Sequence, residues 1–451
     1  MLKHWLLERL ADFNNRTAII FEDSPISYSQ LLEIQKSWQS FIEKAKVSAG
    51  QVVAIDADYS PDSIALLLAL IANKNIIVPL SPSIKQQKDY FMEIAKVDYI
   101  IRPNVGKEVI QPFIVSSESY DIYDKLRHND APGLVLFSSG STGKSKGIVL
   151  NFNRLLDKFL KQRKAMSTIC FLMFDHIGGI NTLLSTMANG GTLVPVTDRF
   201  PESVCSLIEK YQLQLLPTSP TFLNMLLISR AYEKYNLSSL SLITYGTEPM
   251  PNSTLKELHK HLPKCRLKQT YGLSELGILS TQSQNNDSLW MKMGGDGYQL
   301  KVVDGVLWIK SESAMLGYLN APSPFDEEGW MNTRDKVEVD GEYFKILGRE
   351  TDIINVGGEK VYAPEIESVI LEIPNIKDVA VSGKRNPLTG QVVYAKVAVI
   401  EEEDIKSLRR KIKKHCQTRL AAYKVPAYIE LCNTTFHSAR FKKQKKTAGE
   451  S

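Results

Sequence analysis

The stretch "GLVLFSSGSTGKSKGIVL", Gly133 to Leu150, decides how this 451-residue chain is read. Between Phe137 and Gly147 it holds three glycines, five hydroxyl side chains and two lysines in eleven residues. A Walker A loop reads G-x-x-x-x-G-K-[ST] and opens a helix at its lysine. Gly143, Lys144 and Ser145 satisfy the end of that pattern, but Ser138 stands where its first glycine belongs. The flanks also disagree with it. "GLVLF" reads as a strand, and "IVL" after Gly147 is apolar and β-branched, which favours a second strand over a helix start. The loop therefore joins two strands. It can wrap a phosphate with backbone N–H groups and hydroxyls, with no helix dipole behind it. The competing reading is a plain Gly/Ser connector without a ligand.

Working outward, short β-rich runs alternate with helical patterns from Gln51 to about Gly272. "QVVAIDA", "NIIVPL", "YIIRP", "TICFLMF", "TLVPV", "LQLLP" and "LITYG" are separated by segments such as "SPDSIALLLALIANK", "INTLLSTMANG" and "PESVCSLIEKYQ". That alternation implies βαβ units and largely parallel sheets. From about Ser288 to Leu347 the pattern changes to strands broken by Asp-Gly turns, "VVDGVLW" and "EVDGEYF", a hairpin signal. After Gly348 come one strand, the helix "APEIESVILEI", two further strands and the helix "EEDIKSLRRKIKKHCQTRL". The expected fold class is α/β. A large N-terminal domain of βα-layered sheets (1–347) carries a small β subdomain (about 288–347), and a small α+β C-terminal domain (348–451) follows.

Composition narrows the function class. The chain is 43% hydrophobic and 23% charged, with a formal net charge of +5. So small a charge on this length argues against nucleic acid as a partner. The five cysteines are scattered, with no C-x-x-C spacing, as expected for reduced thiols. Glu8, Arg9 and Asp12 interrupt the N-terminus where an export signal needs apolar residues. The longest apolar run, Ile64 to Ala72, has nine residues, whereas a membrane span needs roughly 20. The expectation is a cytoplasmic protein without a membrane span.

Three further segments carry polar chemistry. "QTYGLSELG" (Gln269 to Gly277) ends a predicted strand and offers an aromatic, a glycine, a hydroxyl and a carboxylate. Such a carboxylate suits Mg²⁺ shared with phosphate oxygens. "TRD" (Thr333 to Asp335) offers a carboxylate that can accept from ribose hydroxyls. "GRETDIINVGGEKVYAPEIE" (Gly348 to Glu367) combines a Gly-Arg pair, a Gly-Gly and an acidic helix. Each alone reads as a surface turn. Taken together and in this order, "FSSGSTGKSKG", "YGLSE", "TRD" and "GRETDIINVGGEKVYAPEIE" resemble the ANL superfamily of adenylate-forming enzymes. That superfamily holds the acyl- and aryl-CoA synthetases, peptide-synthetase adenylation domains and luciferases. The resemblance runs along essentially the whole chain, through "ISYSQL", "ALLLALIANKNIIVPLSP" and "GVLWIKSESAMLGYLNAP".

The resemblance implies ATP-dependent activation of a carboxylic acid to an acyl-adenylate, with Mg²⁺, then transfer to a thiol. Ser138, Ser139, Gly140, Ser141, Thr142 and Gly143 would cradle the leaving phosphates, with Lys146 as the loop lysine. Ser145 stands where the family usually has Pro. Gly246, Thr247 and Glu248 would run along the adenine and acyl pocket. Tyr271 and Gly272 would lie against the adenine, Ser274 would touch the α-phosphate, and Glu275 would bind the metal. Asp335 would hold the ribose, with Arg349 nearby. Gly357 and Gly358 in "NVGGEK" would let the thiol arm pass closely.

The family's C-terminal domain is a mobile lid. The hinge falls near 349–351, where this chain has Thr351 in place of the usual Asp or Lys. The family's adenylation lysine sits in "P-[KR]-T-x-x-G-K". Here an ungapped run from "YKVPAYIE" puts Lys442 at that position and Lys443 one residue away, without the Pro, Thr and Gly.

The acid is read from "FLMFDHIGGINTL" (Phe171 to Leu183), which aligns two ways. "HIGG" makes His176 a wall of an acyl or aryl pocket. "FD" makes Asp175 an anchor for a substrate ammonium, as in amino-acid adenylation for a separate carrier protein. The Gly-Gly after His176 favours an acyl or aryl acid. The acceptor is CoA or the phosphopantetheine of a free-standing acyl carrier protein. A non-catalytic acyl or nucleotide binder is the remaining alternative, because the lysine pattern is degraded.

Overall fold

The computed structural model describes residues 4–103, 109–113, 119–138 and 145–432. The opening stretch sits in a seven-stranded sheet. Gly133–Ser138 pairs in parallel with Ile76–Leu80 on one side and antiparallel with Lys146–Asn151 on the other, from Gly133 opposite Asn151 to Ser138 opposite Lys146. The segment after Gly147 is thus a strand, as its β-branched residues predict. Val52–Asp56, Ile76–Leu80 and Gly133–Ser138 are nearly all buried. Strands covered on both faces read as continuous Val/Ile/Leu runs, not as alternating ones.

The nine-residue apolar run lies in the helix Pro61–Ala72, capped by Ser60, whose hydroxyl accepts from the Ser63 amide. That helix is buried from Ser63 to Ala72, and Ile64 to Ile71 belong to the largest hydrophobic cluster among the described residues. No helix among the described residues is long and apolar enough to cross a membrane.

A second seven-stranded sheet runs Arg266–Gln269, Leu242–Tyr245, Leu215–Thr218, Ser167–Cys170, Thr192–Pro195, Thr17–Phe21 and Ser24–Ser27. Every neighbour pair in it is parallel except the last. Loops at the carboxyl ends of such strands build the ligand clefts of α/β folds. Here those loops hold Gly246–Glu248 and Thr270–Glu275.

The antiparallel region is a six-stranded sheet that begins at Ser280, not near Ser288, and runs to Arg349. Its first strand, Ser280–Ser283, is the polar "STQS", with little apolar pattern to betray it. The C-terminal part is a five-stranded sheet of Ile353–Val356, Glu359–Tyr362, Ile376–Asn386, Gly390–Val399 and Tyr428–Leu431. The helices Ala363–Ile370 and Ile405–Gln417 share its core through Ile366, Ile370, Leu408 and Ile412. Between the two sheets lies one short turn, Glu350–Asp352.

Candidate functional site

A cavity of about 620 Å³ opens beside the carboxyl ends of Leu242–Tyr245 and Arg266–Gln269. Thr247, Glu248, Tyr271, Gly272, Asp335 and Arg349 line it. Six residues singled out in four separate segments of sequence therefore line one cavity. Pro364, Glu367, Leu371, Lys377 and Asp378 of the C-terminal part also line it.

The geometry centres on Asp335. Its side chain is 10% exposed. Tyr271 Oη donates to Asp335 Oδ2 at 2.5 Å, and Arg349 Nε lies 3.5 Å from Oδ1. Strand pairing sets this up, because Asp335 and Arg349 are direct partners across the antiparallel ladder. Burial pushes the Asp335 carboxyl up, and the Tyr271 hydroxyl and Arg349 guanidinium pull it partly back. Tyr271 is raised well above its usual range by its own burial and then by the neighbouring carboxylate, so its hydroxyl stays a donor.

The turn "YGTEP" needs its glycine. A Cβ on Gly246 would sit 2.5 Å from Thr270 Oγ1 and 2.7 Å from the Thr270 carbonyl oxygen. Thr247 follows with a φ of 75°, and Glu248 Oε1 accepts from the Thr221 amide at 2.7 Å. That amide belongs to the first turn of the helix Pro220–Ser229, whose N–H groups lack partners within the helix. Glu248 thus fixes the entrance of this helix as well as lining the cavity.

At the other end of the expected site, Ser274 and Glu275 lie half-buried in the turn after Gly272–Leu273. Tyr318 Oη donates to Glu275 Oε1 at 2.7 Å, and Lys146 Nζ stands 4.8 Å from the centre of the same ring. Tyr318 is a residue that motif reading passed over. Ser138 ends its strand opposite Lys146. Ser139, Gly140, Ser141, Thr142, Gly143, Lys144, Lys442 and Lys443 lie outside the described residues. Among the described residues no group of three or more His, Cys, Asp or Glu is placed to hold a metal ion. A lone carboxylate such as Glu275 fits a Mg²⁺ ion that takes its other ligands from phosphates and water.

The acyl-pocket candidates have their own local partners. His176 is the N-cap of the helix Ile177–Ala188, and its Nδ1 accepts from the Gly178 amide at 3.1 Å. Asp175 is buried and its Oδ2 accepts from Ser81 Oγ at 2.9 Å. Neither lines the 620 Å³ cavity, and neither does Gly246. The Gly-Gly pair has a packing reason: a Cβ on Gly179 would fall 1.9 Å from the Met173 carbonyl oxygen.

Gly357 and Gly358 form the turn between Ile353–Val356 and Glu359–Tyr362, with φ of 62° and 94°. Gly357 N donates to the Thr389 carbonyl, and a Cβ on Gly358 would meet nothing within 4 Å. This exposed turn is not on the cavity wall. The helix Ala363–Ile370 is instead seated there. Ser368 Oγ accepts from the Asn252 amide at 3.0 Å, and the Ser368 carbonyl accepts from Ser253 Oγ at 3.2 Å.

Known proteins resemble this chain along most of its length. Residues 6–319 match the model of the family described as AMP-binding enzyme, and residues 365–442 match the AMP-binding enzyme C-terminal domain. The chain is 32% identical over 328 residues to Acyl-CoA synthetase 7 of Caenorhabditis elegans, covering 65% of this chain and 60% of that protein. It is 25% identical over 487 residues to the indoleacetate–CoA ligase of Aromatoleum aromaticum, covering 95% and 93%. Among solved structures, the anthranilate CoA ligase AuaEII in complex with anthranoyl-AMP superimposes with a TM-score of 0.84. It is 20% identical, and the match covers 98% of this chain and 96% of that one.

Proposed function

We propose that this chain, which belongs to the AMP-binding enzyme family, is an AMP-forming acid–thiol ligase. In the first half-reaction a carboxylate oxygen of the acid attacks the α-phosphorus of ATP. The bond from that phosphorus to the bridging oxygen breaks, and pyrophosphate leaves with the electron pair. In the second half-reaction a thiolate attacks the acyl carbon. The bond to the phosphate oxygen breaks, AMP leaves, and a thioester remains.

The observation that carries this reading is the meeting of Tyr271, Asp335 and Arg349 on the wall of one cavity. Asp335 accepts from the ribose hydroxyls, and Tyr271 fixes the orientation of its carboxylate. Thr247, Glu248 and Gly272 bound the adenine. The loop Ser138–Gly143 with Lys146 binds the phosphates through amides, hydroxyls and one fixed charge. Ser274 contacts the α-phosphate. Glu275 would hold Mg²⁺, which would offset the charge building on the phosphate oxygens. Lys442, or Lys443 after a one-residue slip, bridges the acyl carboxylate and the α-phosphate. Nearly all of this is positioning and electrostatics, the main resources available to phosphoryl-type chemistry.

Two half-reactions need two arrangements of the lid. With Gly357 and Gly358 outside the cavity and Ala363–Ile370 over it, the present arrangement suits adenylation. We place the division of domains at 347/348 and the hinge at Glu350–Asp352, around Thr351. Rotation there brings the Gly-Gly turn to the cavity for the thiol.

For the acid we favour a small acyl or aryl carboxylate. Ser81 already engages the Asp175 carboxylate, which speaks against that residue as an ammonium anchor. The relatives named for indoleacetate and anthranilate act on aryl acids. For the acceptor we favour CoA, with a free-standing carrier protein as the second possibility. None of the five cysteines is in a disulfide and four are buried, in keeping with a cytoplasmic setting. Exchange of labelled pyrophosphate into ATP, run across a panel of acids, tests the reading. Exchange with aryl or acyl acids supports it, exchange with amino acids alone overturns the choice of acid, and no exchange with any acid overturns the function.

A further inference from the structure

We infer that Tyr318 is a positioning residue that holds the metal-binding carboxylate and the phosphate-loop lysine in one fixed relation. The inference rests on the adenylation reading above and adds to it a residue that no motif assigned. Three observations carry it. The Tyr318 hydroxyl donates to Glu275 Oε1 at 2.7 Å, occupying one carboxylate oxygen and aiming the other. The face of the same ring lies 4.8 Å from Lys146 Nζ, a cation–π contact on the other partner. Two residues on, Asn320 clamps the backbone on both sides of that lysine. Its Oδ1 accepts from the Gly147 amide at 3.0 Å and its Nδ2 donates to the Ser145 carbonyl at 2.9 Å.

One short segment therefore grips both halves of the expected phosphate site, although Glu275 and Lys146 are far apart in sequence. A lone carboxylate gives a metal little geometry unless its orientation is fixed by an outer partner, and losing such a partner typically costs 10–100-fold in metal affinity.

The test uses the full chain with Mn²⁺ as the metal probe and α,β-methylene-ATP as the nucleotide, which cannot be cleaved at the reacting bond. Free Mn²⁺ is read by electron paramagnetic resonance. Tyr318→Phe keeps the ring under Lys146 and removes only the hydroxyl. The expectation is at least a tenfold weaker Mn²⁺ affinity, a matching rise in the Mg²⁺ needed for exchange, and recovery of rate at saturating Mg²⁺. Asn320→Ala loosens Lys146 alone and leaves Mn²⁺ affinity within about twofold. Mn²⁺ affinity in Tyr318→Phe within about twofold of wild type overturns the inference. If Tyr318→Phe does not fold, a crystal structure of the wild type with Mn²⁺ and the analogue decides instead. The inference stands if Tyr318 Oη is within hydrogen-bond reach of Glu275, and falls if it is not. The two readings fail separately: absence of exchange in the wild type removes the proposed function, whereas wild-type exchange with unchanged Mn²⁺ affinity in the variant removes only the role of Tyr318.

Discussion

Replacing Asp335 by Asn pulls binding and stability in opposite directions, and that divergence tests the nucleotide site. The substitution keeps shape and removes charge. A hydrogen bond to a charged group is worth about 1.5–3 kcal/mol and a neutral one about 0.5–1.5 kcal/mol. Each ribose hydroxyl thus loses about 1–1.5 kcal/mol, and two lose about 2–3 kcal/mol, which weakens ATP by about 30- to 150-fold.

Stability moves the other way. Burial is the largest influence on this carboxyl and raises its pKa above the ordinary aspartate value. Between those two pKa values the folded state holds more protons than the unfolded chain. Stability therefore falls as pH rises through that window, and the cost of the buried charge persists at pH 7. The Arg349 ion pair does little to offset it, because that side chain is 55% exposed. Asp335→Asn is therefore expected to leave the melting temperature unchanged or higher at pH 7, while KM for ATP in pyrophosphate exchange rises by the stated factor. Unchanged KM for ATP would refute the assignment of Asp335. A large fall in melting temperature together with the KM rise would show that the residue acts on folding instead.

The other predictions are brief. Lys442→Ala lowers adenylation by about 10²–10³ and spares thioester formation from preformed acyl-adenylate, measured by chromatography; equal loss in both half-reactions counts against Lys442. Gly246→Ala forces a Cβ against the Thr270 carbonyl, so nucleotide binding by calorimetry is lost while circular dichroism still reports a folded chain; wild-type affinity would remove the tight-turn argument. The half-buried Lys158 amine is pushed down to about 8 from 10.5, mainly by desolvation and then by Arg163. The unfolded chain holds the extra proton between about pH 8 and 10.5, so stability rises with pH across that window, by at most about 3 kcal/mol. Melting curves should show that rise in the wild type and a smaller one in Lys158→Met; parallel profiles would contradict it.

The sequence made the sheets legible where residues are strongly patterned, and the site legible where a motif holds its own geometry. The apolar, β-branched "IVL" after Gly147 was enough to replace a helix by a strand. Tyr271 and Asp335, 64 positions apart, were each readable because each sits in its own motif, yet only the folded sheet brings them together. The helix after His176 begins at Ile177, three residues before the helical run read from Ile180, so His176 is its N-cap. The polar strand Ser280–Ser283 carried too little apolar signal to be seen. Tyr318 was invisible as a site residue because its role comes from partners 43 positions away at Glu275 and still farther at Lys146, and no local pattern records such contacts.

The central claim concerns which bond of ATP breaks. Phosphorus NMR of the mixture formed from the full chain, ATP, Mg²⁺, an exchange-positive acid and CoA reads it directly. The account predicts AMP and pyrophosphate in equal amounts with a matching quantity of acyl thioester. ADP and inorganic phosphate as the products would contradict it.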